Sequence, residues 1–316
     1  MDYMYDLLVK LCLGVIVLLF STQVFIQIAK KMSHIVKISP LIIGATFVAI
    51  GTSLPELVVS MTAVLQKDTG LAMGNIIGSN IVNIFLVLPV AIFTGKLRIG
   101  TNKTQRNALI MVGITLIFIF IQFLKPVPIA SGLFLIILAL LVTVLEFEQG
   151  VFGRNHEDSL RFNKKNHNRI TILAVIIAVL SIVGIIMGGI LVVSSIESIS
   201  RITGYSTTIL GLSLTAVATS LPELLTTVIA QEEHQEKMTI GNIIGSNIYN
   251  LLLVGGLTMI FTTGLVIASI NWIWLIISTV GFAYILRRYK GIFIPKRLGA
   301  VLILLFIVYL FTLGIK

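Results

Sequence analysis

The chain has 316 residues, 57% hydrophobic and only 11% charged, with a mean hydropathy of +1.05 and a formal net charge of +10. A soluble domain is nearer a quarter charged, so these charges are too few to solvate a globular surface. The positive balance reads as membrane topology rather than nucleic-acid binding, because the basic residues lie between apolar runs. Ten apolar segments follow in chain order, at about 7–29, 39–65, 70–95, 107–124, 127–147, 170–197, 205–230, 238–262, 266–286 and 297–315. Runs of about 20 apolar residues cross a bilayer as helix. The lack of polar–apolar alternation argues against a transmembrane barrel. The first run follows 1–6 without a basic n-region, so it is expected to be a mature helix rather than a cleaved signal. Cys12, inside that run, is the single cysteine; it excludes an intrachain disulfide and reads as a small hydrophobe. The one long polar interruption is expected to be a linker, 149–169, between halves at 1–148 and 170–316. It is too short for a folded domain of ordinary size.

The placement of Lys and Arg sets the orientation. With ten spans, 18 of the 23 basic residues fall on one side and five (Lys10, Lys67, Lys125, Arg201 and Lys316) on the other. Both termini are therefore expected outside the cytoplasm and the linker inside it. Five spans per half is odd, so the second half must enter the membrane in the opposite sense to the first. That makes an all-α polytopic membrane protein of ten transmembrane helices in two inverted five-helix repeats, a common plan for secondary transporters.

The repeat is written in the letters. Gly44–Ser60 reads GATFVAIGTSLPELVVS and Gly211–Thr227 reads GLSLTAVATSLPELLTT, identical at eight of 17 positions at an offset of 167. At the same offset GNIIGSNIVNI (Gly74–Ile84) and GNIIGSNIYNL (Gly241–Leu251) match at nine of 11. Chance likeness between apolar helices does not keep Pro, Glu and Asn at fixed spacing, so the motif regions 44–84 and 211–251 define the architecture.

Pro55 has no N–H, and its ring displaces the carbonyl one turn back, at Gly51. Leu54 is pushed away from the α region, so the helix should open around Thr52–Leu54 and free backbone carbonyls. In lipid such carbonyls are tolerated only beside a cation or a watered cavity. Glu56 then starts the next half-helix, where the dipole favours negative charge. Ala218, Pro222 and Glu223 repeat the geometry. Asn75, Ser79 and Asn83 are spaced i, i+4, i+8 and form a polar stripe, as do Asn242, Ser246 and Asn250. Gly74, Gly78, Gly241 and Gly245 make small-xxx-small faces for close helix contact. A lone buried carboxylate is costly unless neutralised. Two carboxylates with carbonyl, amide and hydroxyl oxygens suit Ca2+, which takes about six to eight oxygens in flexible geometry, better than octahedral Mg2+. No His or Cys lies in either motif, which argues against zinc or copper.

These two blocks resemble the α-repeats of the cation/calcium antiporter superfamily, specifically prokaryotic-type sodium/calcium exchangers. The resemblance implies extrusion of Ca2+ by inward Na+, with no cofactor beyond the transported ions. It implies that Glu56 and Glu223 are central carboxylates shared by both ions. Thr52 and Thr219 would offer carbonyls to Ca2+. Ala49 and Ala216 would offer carbonyls to Na+, helped by Ser53, Ser220, Ser79 and Ser246, with Asn83 and Asn250 lining the centre. The first and sixth helices would slide as a gate, and Gly184, Gly188 and Gly189 could permit that motion. Many relatives carry Asp where this chain has Asn250, which leaves a potassium site and the coupling number open. A proton-coupled or other divalent-cation antiporter on the same scaffold is the alternative.

Other features read as structural. Asn75 and Asn242 are expected to cap freed backbone groups or join helices. The cluster Glu232, Glu233, His234 and Glu236 reads as a solvated loop, and Glu197 with Arg201 as a weak surface pair. His34, His156 and His167 lack ligand spacing, and the sequon at Asn102 falls on the cytoplasmic side. An intramembrane hydrolase would need a nucleophile or a His-bound metal beside the two acids, and the motifs hold neither. A channel would show no exchange requirement. The expected partners are Ca2+, Na+ and the lipid of a cell membrane, with no nucleic acid, and one chain holds a complete site and should function as a monomer.

Overall fold

The computed structural model describes residues 2–35, 49–98, 102–124, 127, 129–152, 172–232, 236–262 and 269–314. They form helices, named here in chain order: α1 (Asp2–Ile35), α2 (Ala49–Thr52), α3 (Leu54–Leu65), α4 (Thr69–Thr94), α5 (Asn102–Phe123), α6 (Ile129–Phe152) and α7 (Ile172–Thr203). Next come α8 (Thr207–Leu210, continuing to Thr219), α9 (Leu221–Glu232), α10 (Glu236–Tyr249, continuing to Phe261), α11 (Ser269–Arg288) and α12 (Lys296–Gly314). Nine stretches among the described residues are long and apolar enough to cross a membrane. The tenth expected segment, 39–65, enters the described residues only at Ala49, as α2 and α3. Helix α6 runs on to Phe152, into the stretch expected as linker; the rest of 149–169 lies outside the described residues.

The offset of 167 holds in the backbone as well as in the letters. Ala49–Thr52 matches Ala216–Thr219, Leu54–Leu65 matches Leu221–Glu232, and Thr69–Val82 matches Glu236–Tyr249. Both long motif helices then contain a π-turn at equivalent places, Asn83–Val87 in α4 and Asn250–Val254 in α10. In α4 a cause is visible: Pro89 lacks the N–H that would bind the Phe85 carbonyl, and its ring crowds that carbonyl. A third π-turn, Gly211–Thr215, lies in α8.

Helices α4 and α10 form the centre of the bundle, each with 83% of its apolar window buried, against 28% for α1, α6, α7 and α12. Close approach at the centre depends on glycine. A Cβ on Gly74 would lie 2.5 Å from the Thr208 carbonyl oxygen, and one on Gly78 would lie 2.6 Å from the Ala216 Cβ. The first-half motif helix is thus pressed against the second half's α8. Gly241 meets nothing within 4 Å, so the expected contact at that glycine is not present among the described residues. The surface equivalent to Gly211 is Gly44, which lies outside them.

Helices α1 and α7 pack mainly on each other. At Gly14 and Gly188 the two backbones come close together, and a Cβ on Gly188 would stand 2.7 Å from the Leu18 nitrogen. Gly184 also faces α1, at Ser21, whereas Gly189 faces Val58 of α3. Two of the three glycines expected to ease sliding therefore bind the pair together, and only Gly189 meets the rest of the bundle. At the opposite end from the Lys67 turn, the loops before α5 and α12 are joined by an antiparallel bridge, Arg98 to Phe293. Arg98 Nε donates to the Gly291 carbonyl (3.0 Å), and Lys290 donates to Asn102.

Candidate functional site

The site is built where the two interrupted helices meet the two motif helices. The first interruption is one residue wide: Ser53 has φ −82° and ψ 4°, between α2 and α3. Ser220, at φ −83° and ψ 5°, repeats it. Leu54 is already helical, contrary to the expected opening across Thr52–Leu54. The turn is absorbed at Ser53, so Pro55 falls in the first turn of α3, where its missing N–H has no intrahelical partner to lose.

The freed carbonyls follow from this register. Ser53 N–H still reaches the Ala49 carbonyl (3.1 Å), and Leu57 N–H reaches that of Ser53 (3.1 Å). The helix is interrupted at Ser53, so the i+4 bonds to the Ile50 and Thr52 carbonyls are not made, and Pro55 has no N–H to give to Gly51. In the second half the helix breaks in the same way at Ser220, whose N–H reaches Ala216 and Ala218, so the carbonyls of Val217 and Thr219 are without an i+4 donor. The Ala49 carbonyl, expected as a sodium ligand, accepts two donors already, the Ser53 N–H (3.1 Å) and the Thr52 hydroxyl (3.2 Å), whereas the Ala216 carbonyl accepts the Ser220 N–H (3.1 Å) and the single Thr219 proton has its nearer acceptor in Asn75 Oδ1 (3.0 Å against 3.4 Å). A cation at Ala49 would compete with both lone pairs.

All twelve expected site residues, Ala49, Thr52, Ser53, Glu56, Ser79, Asn83, Ala216, Thr219, Ser220, Glu223, Ser246 and Asn250, are buried. The side chains are wired across the halves. Thr219 Oγ1 lies 3.0 Å from Asn75 Oδ1 and 3.3 Å from Ser79 Oγ. Thr52 Oγ1 lies 3.4 Å from Asn242 Oδ1 and 3.3 Å from Ser246 Oγ. Ser220 Oγ donates to Glu56 Oε1 at 3.3 Å. Each broken helix is therefore tied to the other half's motif helix, the reciprocity a pseudo-two-fold axis produces. Sequence spacing put Asn75 and Ser79 on one stripe but could not say whose threonine they would meet.

The polar atoms without a protein partner are informative because they are buried. They include Glu56 Oε2, both carboxylate oxygens of Glu223, Ser53 Oγ, Asn83 Oδ1 and both amide atoms of Asn250. Buried polar groups are nearly always hydrogen-bonded, and a carboxylate oxygen can only accept. Three acceptor oxygens without donors, beside carbonyls freed by two helix breaks, make a hard, oxygen-lined cage suited to an alkali or alkaline-earth cation.

Two residues of this neighbourhood escaped the sequence reading. Asn247 accepts from Asn83 Nδ2 at 3.5 Å and is itself buried. It follows Ser246 directly in GNIIGSN, and the i+4 stripe hid it. Tyr309, on α12, donates to the Leu212 carbonyl at 2.7 Å, inside the π-turn of α8. The residue 167 before it is Val142, which has no hydroxyl, so no repeat signal marks Tyr309. Glu197 and Arg201 form the expected i,i+4 pair at 3.8 Å. Glu232 and Glu236 end α9 and begin α10, while Glu233 and His234 lie outside the described residues, as do His156 and His167.

The family model described as sodium/calcium exchanger protein matches residues 7–147 and 173–314. The sodium/calcium exchanger MaX1 of Methanosarcina acetivorans is 28% identical, over 94% of this chain and 97% of that protein. The inner membrane protein YrbG of Escherichia coli is 30% identical, over 80% of this chain and 79% of its own length. A solved structure of the sodium-calcium exchanger NCX_Mj, soaked with 2.5 mM Na+ and 10 mM Sr2+, superposes with a TM-score of 0.67 and 25% identity, covering 96% of this chain and 98% of that one.

Proposed function

Because the chain belongs to the sodium/calcium exchanger family, we propose that it is an antiporter exchanging Na+ for Ca2+ by alternating access, with Na+ influx driving Ca2+ extrusion. The observation that carries this reading is the buried pair Glu56 and Glu223, with three of four carboxylate oxygens lacking a protein donor. Two carboxylates neutralise one Ca2+, and the freed carbonyls of Thr52 and Thr219 extend its shell toward the six to eight oxygens it takes. Na+ shares the carboxylates and uses Ser53, Ser220, Ser79, Ser246 and the carbonyls of Ala49 and Ala216. Asn83 and Asn250 line the centre and add no charge. Competition for two carboxylates makes occupancy by the two ions mutually exclusive, which is what exchange requires.

Access alternates by movement of the α1–α7 pair against the other helices. The pair is locked internally at Gly14 and Gly188 and meets α3 at Gly189, which supports its motion as one body. The basic asymmetry of the loops supports both termini outside a cell membrane and the central linker in the cytoplasm. Every site residue comes from one chain, which supports a functional monomer.

The test is 45Ca2+ uptake into proteoliposomes loaded with Na+, K+ or choline, for the wild type and for Glu56→Gln and Glu223→Gln. Uptake is expected only with internal Na+ and in neither variant. Uptake that ignores Na+ and follows a pH gradient would replace the coupling ion, and no Ca2+ movement under any gradient would overturn the choice of calcium.

A further inference from the structure

We infer that Asn75 and Asn242 are reciprocal positioning residues, latched one at a time, and that the latch changes halves when the site changes the side to which it opens. The inference rests on the exchanger reading only in requiring two access states.

Each half owns the same parts at an offset of 167. The first set is Asn75, the Glu56 carbonyl, Ser60 and the other half's Thr219; the second is Asn242, the Glu223 carbonyl, Thr227 and Thr52. The first latch is fully made. Asn75 Nδ2 donates to the Glu56 carbonyl (3.3 Å) and to Ser60 Oγ (3.0 Å), and Oδ1 accepts from Thr219 (3.0 Å). The carbonyl can only accept, which fixes the orientation of the amide. The second latch is open. Asn242 Nδ2 and Thr227 Oγ1 are fully buried without a partner. Thr52 approaches Asn242 Oδ1 only at 3.4 Å, and its single proton has a nearer acceptor in the Ala49 carbonyl at 3.2 Å.

The sets differ in composition only at Ser60 against Thr227, and each of these supplies one hydroxyl, so the same hydrogen-bonding groups are wired in two ways. A buried donor without an acceptor is costly, so closing the second latch would recover that cost. Alternating access in inverted repeats moves one unit against the other around a fixed site, and closing one latch as the other opens keeps the two access states close in free energy, as alternation requires. Asn75 grips Glu56 through its backbone carbonyl rather than its carboxylate. The latch therefore sets where the carboxylate-bearing helix begins, and leaves the oxygens that meet the ion alone.

Ser60→Ala removes an acceptor from the first latch, and Thr227→Val removes the corresponding hydroxyl from the second. Spin labels at Tyr5→Cys on α1 and Phe261→Cys at the end of α10, both exposed positions, read the distance between the α1–α7 pair and the bundle in nanodiscs, in a Cys12→Ala background. The wild type is expected to show two distance populations. Ser60→Ala should shift their ratio about fivefold one way and Thr227→Val about fivefold the other, as loss of one hydrogen bond implies. Asn242→Ala should follow Thr227→Val, Thr227→Ser should match the wild type, and Ser60→Ala with Thr227→Val should restore its ratio. Shifts in one common direction, or no shift in any variant, overturn the latch exchange. The distances need no ion flux, so a failure of Na+/Ca2+ exchange would be seen separately, in the uptake assay.

Discussion

Gly78→Ala tests whether the site depends on the contact between α4 and α8. A Cβ on Gly78 would lie 2.6 Å from the Ala216 Cβ and 2.7 Å from the Leu212 carbonyl oxygen. Ordinary carbon contacts are about 3.5–4.0 Å, so α4 and α8 must part by roughly 1 Å. The Leu212 carbonyl cannot yield easily, because Tyr309 holds it at 2.7 Å. Overpacking of this kind costs about 1–3 kcal/mol, against which alanine recovers up to about 1 kcal/mol of helix propensity over glycine. The net loss should be about 1–2 kcal/mol. Separation of the helices would also carry the Thr219 contacts with Asn75 (3.0 Å) and Ser79 (3.3 Å) beyond hydrogen-bonding range. Thermal unfolding in detergent should show a lower midpoint, and 45Ca2+ uptake should fall at least about tenfold, two lost bonds each contributing about 1 kcal/mol. Gly113→Ala is the control, since nothing stands within 4 Å of its Cβ. Wild-type melting and uptake in Gly78→Ala would refute the reasoning.

Thr219→Val should weaken apparent Ca2+ affinity more than Thr52→Val, because the Thr219–Asn75 contact at 3.0 Å is shorter than the Thr52–Asn242 contact at 3.4 Å; equal losses in a Ca2+ titration of uptake would count against the asymmetry. Tyr309→Phe leaves the Leu212 carbonyl without its donor and should lower stability by about 1–2 kcal/mol, seen as an earlier melt. Arg201→Ala should leave both melting and uptake unchanged, because its pair with Glu197 is 3.8 Å apart and the arginine is largely exposed. In the uptake assay, Glu223→Gln should be at least as damaging as Glu56→Gln. Neither Glu223 oxygen has a protein donor, whereas Glu56 Oε1 has Ser220, so Glu223 has more capacity to give to the ion.

What the sequence determines by itself is whatever depends on periodicity, chemistry along one helix and the repeat. Apolar length places the membrane segments, since lipid demands backbone bonds closed within each helix. The offset of 167 and the paired TSLPE motifs locate both interruptions, because a proline acts on its own helix wherever that helix packs. Glu56 and Glu223 are legible for the same reason: an acid in an apolar span needs a partner whatever the fold. Contacts between helices were not legible. That Thr219 meets Asn75, that Gly78 faces Ala216, and that two of three α7 glycines grip α1 depend on which faces the tertiary structure presses together. The one-residue width of the break at Ser53 and the π-turns at Asn83 and Asn250 are likewise decided by packing. The difference between Asn75, fully bonded, and Asn242, with its amide nitrogen bare, lies furthest from the sequence, because GNIIGSN is the same in both motifs and the partners differ only as Ser60 and Thr227, each with one hydroxyl.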